Sequence, residues 1–478
     1  MKGTRVCSKD KKIKELEQIV KEQQVTIKKL QQIIEELNEQ IKELKRSLNL
    51  NSNNSSKSPS SDGLKKQPRV QSLREKSGKK IGGQTGHRGS TLQQTETPDL
   101  IEQHKISCCP HCNVDLTEEP VVDICKRQLF DIPEIKKSFV TEHQFEIKRC
   151  PRCKKRVTTK CNEHAKAPVQ YGPNMKAVVS YLNMHNLIPK KRTAQIMGDL
   201  FGVPISVATV ENFSKTCAAN VKQVVEQIET NLEVAPVKGA DESGIRVAGK
   251  LSGLHTLSSE QCVYYYATEK RGDIKKDLEG VVVHDGFTSY YKLENVQHAL
   301  CNAHHLRELK AVVEIDKEPW ARSMIRLLKI GNRTVEQDPQ DITVEWLTKF
   351  KKLYDLIISK ALSYHENLGV LKKPKRGRVK RRPGHNLALR LQKYDKDVLR
   401  FLSNPEVPFT NNQAEQSIRM IKLQQKISGC FRTAEGADKF LTVRSYTATA
   451  QKQGIKPLEA LIHIFRGKPF SFFQKSAS

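Results

Sequence analysis

Three acids stand where apolar runs stop or a polar helix begins. Asp241 lies within LEVAPVKGADESGIRVAGK, Asp285 closes the apolar run of LEGVVVHDGFTSYY, and Glu415 follows paired asparagines in FTNNQAEQSIR. Phosphodiester chemistry without a covalent enzyme intermediate needs an activated oxygen in line with the leaving oxygen, and two divalent ions roughly 3.5–4 Å apart stabilise both. Carboxylates are the hard ligands that suit Mg²⁺ or Mn²⁺. The expectation is two ions per active site, with Asp241 bridging them and Asp285 and Glu415 each completing one side. Taken singly, an acid at a strand end usually just caps a loop. Glu242 is the rival to Asp241, and because strand neighbours face opposite ways only one of them can enter the site.

A second constellation is cysteine-based. CPHC (Cys109, Cys112) and CPRC (Cys150, Cys153) each carry the two-residue gap that lets both sulfurs face one tetrahedral ion. Four thiolates make a closed structural Zn²⁺ site with no open position for chemistry. Cys108, Cys125, Cys161 and His164 are possible substitutes, or ordinary residues. Twelve cysteines in a chain with no apolar leader at its start read as metal ligands of a reducing, cytoplasmic compartment rather than a disulfide framework.

The charge balance names a partner. Against 53 Asp and Glu stand 82 Lys and Arg, a formal +29, which implies a polyanion. Double-stranded DNA leads. Lys372, Lys373, Arg376 and Arg378 lie in KKPKRGRVKRRPGH, too charged for a core and suited to phosphates or to a solvated loop. KKRTAQIMGDLFGVPISVATVENFSKTC places Gly202 at a turn and Ser206 at a helix N-cap, as in a helix-turn-helix, with a plain helical bundle as the alternative. Arg192, Ser206 and Thr209 would contact DNA there, and Arg419 and Lys422 beyond Glu415. GGQTGHRG is either a phosphate-contacting segment or a flexible basic linker.

These groups need elements to hold them. From Ile13 the apolar residues fall on a seven-residue grid, with Ile13, Val20, Ile27, Ile34, Ile41 and Leu48 at one seam position and Leu16, Leu30, Leu37 and Leu44 at the other. That is a parallel two-stranded coiled coil, hence a homodimer, although a single amphipathic helix packed on its own domain has the same stripe. The chain is read as multidomain α+β. A coiled-coil helix occupies 1–50, a disordered basic Gly/Ser linker 51–95, and a zinc ribbon-like module 96–165 with strand-like VVDICKRQLFDIP and KKSFVTEHQFEIKRC. A helical DNA-binding region follows over 166–232. The catalytic domain covers 233–305 and 409–478, split by a helical insertion over 306–408.

The set ADESG, HDGFTSYY, CNAHHLREL, FTNNQAEQSIRMIK and ISGCFRTAEGADKFLTVRSYTATAQKQGIKPLEAL resembles transposases of the insertion sequence 66 family, of the DDE class. SPSSDG, GGQTGHRG and the CxxC pairs extend the likeness over most of the chain. The resemblance implies an RNase H-like catalytic domain with Asp241, Asp285 and Glu415 as its acids, and it favours Asp241 over Glu242. It also marks Cys301, His304, Arg307, Asn411 and Asn412 as signature residues of unassigned role, either packing and hydrogen bonding or, for Cys301 and His304, a zinc pair. Ser243 and Thr410 depart from the commoner Thr and Asp. The activity implied is binding of the element's inverted ends, cleavage to 3′ hydroxyls, and joining to target DNA, with accessory proteins of the same element as possible partners. A noncatalytic zinc-containing DNA-binding regulator and a metal-dependent nuclease without strand transfer are the alternatives.

Overall fold

The computed structural model describes residues 8–50, 54–55, 94–129, 138–149, 151–158, 167–369 and 381–473. Nearly all of the expected linker, GGQTGHRG included, lies outside the described residues, as do Cys150, Cys161, His164, Lys372, Lys373, Arg376 and Arg378. The chain divides into two units, one of residues 1–70, 160–193 and 206–478, the other of 71–159 and 194–205. Among the described residues no helix is long and apolar enough to cross a membrane.

In the larger unit, α1 (Ser8–Asn49) carries the heptad grid, and its seam residues are exposed along the single chain. Near its end Arg46 pairs with Asp316. α2 (Pro173–Ser180) begins on a proline at its first position, where the missing N–H costs nothing. α3 (Lys190–Phe201) spans the boundary between the units and stops before Gly202 at φ 64°. α4 (Val207–Val234) starts as expected at Ser206, whose Oγ accepts the Thr209 N–H at 3.0 Å.

A five-stranded sheet follows, built from β3 (Val237–Val247), β4 (Lys250–Ser258), β5 (Val263–Thr268), β6 (Gly280–His284) and β7 (Val296–Leu300) in the order β5-β4-β3-β6-β7. β3, β4 and β5 are antiparallel neighbours; β3, β6 and β7 are parallel. β6 shows why its run is continuously apolar: Val282 enters one core while Val281 and Val283 enter the other, so both faces are covered.

The first core joins the sheet to α2 and α4, and to α12 (Ala434–Lys452) and α13 (Pro457–Phe465), through Ala177, Cys217, Val221, Tyr446 and Leu461. α2 and α4 therefore belong to the same core as the sheet, and no break in packing falls at residue 232. The second core holds α5 (Asn302–Ala311), α6 (Pro319–Gln337), α7 (Val344–Asn367) and α8 (Pro383–Lys393), with Leu309, Met324, Tyr354 and Leu391 fully buried. Two single-turn helices, α9 (Asp395–Val398) and α10 (Arg400–Ser403), close it, and α11 (Asn412–Ser428) then lies against β3.

The smaller unit is sparse. Among its described residues, β1 (Ile147–Arg149) and β2 (Arg156–Thr158) form an antiparallel pair. The strand expected from Val121 is irregular over its described residues, where Val121, Val122 and Ile124 stay exposed and no apolar face exists to bury.

Candidate active site

The acids are brought together by register. β3 pairs with β6 as Val237↔Val281, Lys238↔Val282 and Gly239↔Val283. Two further residues along each chain reach Asp241 and Asp285, so the parallel pairing carries both acids to one level, the second just past the end of its strand. Asp285 is turned by its own loop: its Oδ1 accepts the Phe287 N–H at 2.9 Å, and Gly286, at φ 91°, donates its N–H to His284 Nδ1 at 3.0 Å. The left-handed φ is one that glycine adopts without strain. His284 is fully buried, and its ring is pushed down to a pKa of about 3 by burial and by His298, so its nitrogen stays available as an acceptor.

Glu415 arrives on α11, which is tied to β3 at both ends. Asn411 Nδ2 donates to Ala240 O at 2.7 Å, and Lys422 Nζ donates to Gly244 O. Gly239 permits this contact, since a Cβ there would lie 2.3 Å from Asn411 Oδ1 and 3.3 Å from Ala414 Cβ. The Asn411 side chain makes no cap bond to its own helix, so it bridges helix to strand instead of initiating α11. Lys422 is thus engaged by the protein, whereas Arg419, Asn412 and Arg192 are exposed.

Around Glu415 the signature residues find a common target. Cys301 stands at the N-cap of α5 and its thiol donates to Glu415 Oε1 at 3.6 Å. One turn on, His304 Nε2 lies 3.5 Å from Oε1, and after another turn Arg307 is 3.8 Å from Oε2. Positions three apart on a helix share a face, so α5 turns Cys301, His304 and Arg307 toward one carboxylate. Burial, and then the charge of Glu415, push the Cys301 thiol up to about 12, which keeps it a donor. The Asn411 N–H donates to the same sulfur at 3.1 Å.

Asp241 is the most perturbed acid. Burial first, then the negative charges of Glu242, Glu415 and Asp285, raise its pKa well above the ordinary range. Glu242 is also raised, by burial and Asp285, while hydrogen bonds from Arg271 and Tyr290 pull it down. Its fully buried carboxylate pairs with Arg271 at 2.7 Å, an interaction that nothing in the sequence pattern announces because Arg271 sits in the loop EKRGD. Hard oxygen donors with excess negative charge fit a divalent cation chemically. As arranged, though, no group of three or more His, Cys, Asp or Glu side chains among the described residues converges closely enough to hold one. Glu415 faces α5.

The described residues flanking the two cysteine knuckles share a pattern. Cys108 bridges Asp115 antiparallel around CPHCNV, and Arg149 pairs with Arg156 around CPRCKK. The residue after each second cysteine is left-handed, Asn113 at φ 55° and Lys154 at φ 60°. The Cys109 thiol is lowered by the backbone N–H of His111 and then by Cys112.

Residues 168–439 match the family model described as Transposase IS66 family, more than half of the chain, and the protein belongs to that family. Residues 9–93 match a family of unknown function (DUF6444). No curated protein matches the chain.

Proposed function

We propose that the chain is a DDE-class DNA transposase that binds the inverted terminal repeats of its element, cleaves to give 3′ hydroxyls, and joins them to target DNA. The observation that carries this reading is the β3/β6 register, which runs Asp241 and Asp285 to one level beside the strand-anchored helix bearing Glu415. A mixed five-stranded sheet with two antiparallel and two parallel pairings, covered by helices, supports an RNase H-like catalytic domain.

Asp241, Asp285 and Glu415 would hold Mg²⁺ or Mn²⁺, two ions per site, which when bound polarise the phosphoryl group and activate the attacking oxygen. The protein's own part is positional. β3 and β6 fix the first two acids and α11 delivers the third, whose carboxylate faces α5 in this structure. Cys109, Cys112, Cys150 and Cys153 would hold a structural Zn²⁺, supported by the backbone N–H groups that donate to the Cys109 sulfur and lower its pKa. Arg192, Ser206, Thr209, Arg419 and the basic loop would contact DNA, the heptad seam of α1 would pair two copies, and accessory proteins of the same element would join the assembly in the cytoplasm.

The test supplies Mg²⁺ and labelled element ends, with the same reaction repeated for Asp285→Asn. Nicking and joining by the wild type, both lost in the variant, is the expected result. Binding without nicking identifies a regulator; nicking without joining identifies a nuclease.

A further inference from the structure

Four acids, Asp241, Glu242, Asp285 and Glu415, act on one another electrostatically. Such a cluster repels the polyanion that the proposed reaction must bring to it. Something nearby has to offset that repulsion at the point where the strand enters.

Arg271 has the placement for this. Its NH2 nitrogen donates to Glu242 Oε1 at 2.7 Å, and its guanidinium carbon lies 5.0 Å from the centroid of the Phe287 ring. Phe287 belongs to the turn whose N–H holds Asp285 Oδ1. The adjoining Gly272 packs so closely on that turn that a Cβ would meet Ser289 Oγ at 3.2 Å. The charge of Arg271 also reaches Lys422 of α11, lowering its pKa after burial has done so. Arg271 therefore stands beside the turn that carries Asp285, and its charge is felt on the helix that carries Glu415.

Its environment is unusual for a structural ion pair. The Glu242 side chain is wholly buried, while Arg271 keeps 53% of its side chain exposed. Burying a carboxylate to meet a half-exposed guanidinium contributes little to stability, because desolvation cancels much of the attraction. What the pairing does achieve is immobilisation. An arginine fork fixed by a carboxylate at one edge and an aromatic face below still presents donors outward, in the planar geometry that fits two phosphate oxygens.

We propose that Arg271 is a phosphate-contacting residue of the active-site mouth and that Glu242 is its positioning residue rather than a metal ligand. The ligand is a DNA phosphodiester next to the cleaved bond. This rests on the transposase reading above and deepens it. The positioning also explains why neighbouring acids on β3 have separate tasks, Asp241 facing the chemistry and Glu242 holding the cation that admits the substrate.

The test is equilibrium binding of the full chain, in EDTA, to a labelled duplex carrying the terminal repeat found beside its gene, over a series of salt concentrations. Each phosphate contact contributes about 0.9 to the slope of log affinity against log salt. Arg271→Ala should lower the slope by about one contact and weaken binding about tenfold at moderate salt, while Arg271→Lys keeps the slope. If the alanine variant fails to fold with Glu242 left unpaired, the double variant Glu242→Gln, Arg271→Gln removes both charges and leaves the net charge unaltered, and the same loss of slope is expected. An unchanged slope in either folded variant overturns the proposal, as does wild-type binding that is independent of salt. Because no metal is present, absence of cleavage in the Mg²⁺ reaction bears on the transposase reading alone.

Discussion

His304 Nε2 and Glu415 Oε1 stand 3.5 Å apart, although more than a hundred residues of chain separate them. With Cys301 and Arg307 on the same face of α5, this contact gives the signature C-x-x-H-x-x-R a single physical object, the carboxylate of α11. Groups that orient a metal-binding carboxylate typically change activity about ten- to a hundredfold when removed. Arg307→Gln and Cys301→Ala are expected to slow strand cleavage by that order and leave end binding within a few-fold. Cys301→Ser, which keeps a donor, should recover part of the rate. Equal rates for the alanine and serine variants would reduce Cys301 to packing.

Gly239 sets how closely α11 approaches β3. Adding a methyl group would drive it into Asn411 Oδ1, and Asn411 is buried and hydrogen-bonded to Ala240, so it cannot swing aside without losing that bond. Overpacking of this kind costs about 1–3 kcal/mol. Gly239→Ala should lower the melting temperature and cut cleavage more than DNA binding; a variant as stable and as active as wild type would show that the contact has slack.

Asp241 makes stability depend on pH in a defined sense. Its carboxyl is raised in the fold by burial and by Glu242, Glu415 and Asp285, so the protonated form is favoured. Its contribution is then complete below the unfolded value of about 4 and is lost as pH rises through the folded value. Asp241→Asn should melt above wild type at neutral pH in EDTA, by roughly 2–4 °C per kcal/mol relieved, with the gap closing near pH 4. Added Mn²⁺ should raise the wild type and not the variant. A gap that persists unchanged at acid pH would mean that the aspartate charge is not its source.

The legible parts of this molecule were those encoded over short spans. The heptads of α1, the serine cap of α4, and Asp285 just past the end of β6 follow from periodicity or local chemistry, whereas Asp241 sits mid-strand, because β3 runs on to Val247 to pair with β4. What could not be read were contacts whose partners lie far apart along the chain. Asn411 reads only as a polar residue ahead of a helix, but its amide goes to Ala240; Lys422 reads as a DNA contact, but its ammonium goes to Gly244. α4 reads as part of a free-standing helical region because an amphipathic stripe does not say which surface it covers, and here it covers the sheet. The failed strand at Val121 errs the other way, since β-branched residues without a face to bury do not fix a strand.

For the knuckles, the residues after Cys112 and Cys153 are left-handed and the Cys109 thiol is lowered, but Cys109, Cys112 and Cys153 do not converge as they stand, so the proposed Zn²⁺ would have to draw them together. Purified full-length protein should carry about one zinc per chain. Cys112→Ser should lose it, with weaker end binding and intact folding of the sheet by circular dichroism. Metal-free protein that is soluble and binds ends normally would remove zinc from the account.

The heptad seam is the clearest unsatisfied surface. Its described apolar residues on α1 are between 47% and 82% exposed, in a helix whose other faces are polar. A stripe of that regularity on a long helix is stable when a second copy covers it, and the a and d preferences match a parallel pair. The pairing would also reach the catalytic unit, because Arg46 in the last turn of α1 is bonded to Asp316, just beyond the end of α5. Leu30→Asp with Leu37→Asp puts two charges into the seam without touching that anchor. Light scattering should then report a monomer in place of a dimer at micromolar concentration. Joining of paired ends should fall far more than nicking of a single end, since only the former needs two protomers held together. A wild-type monomer at that concentration, or a double variant that joins ends normally, would sever the seam from the reaction.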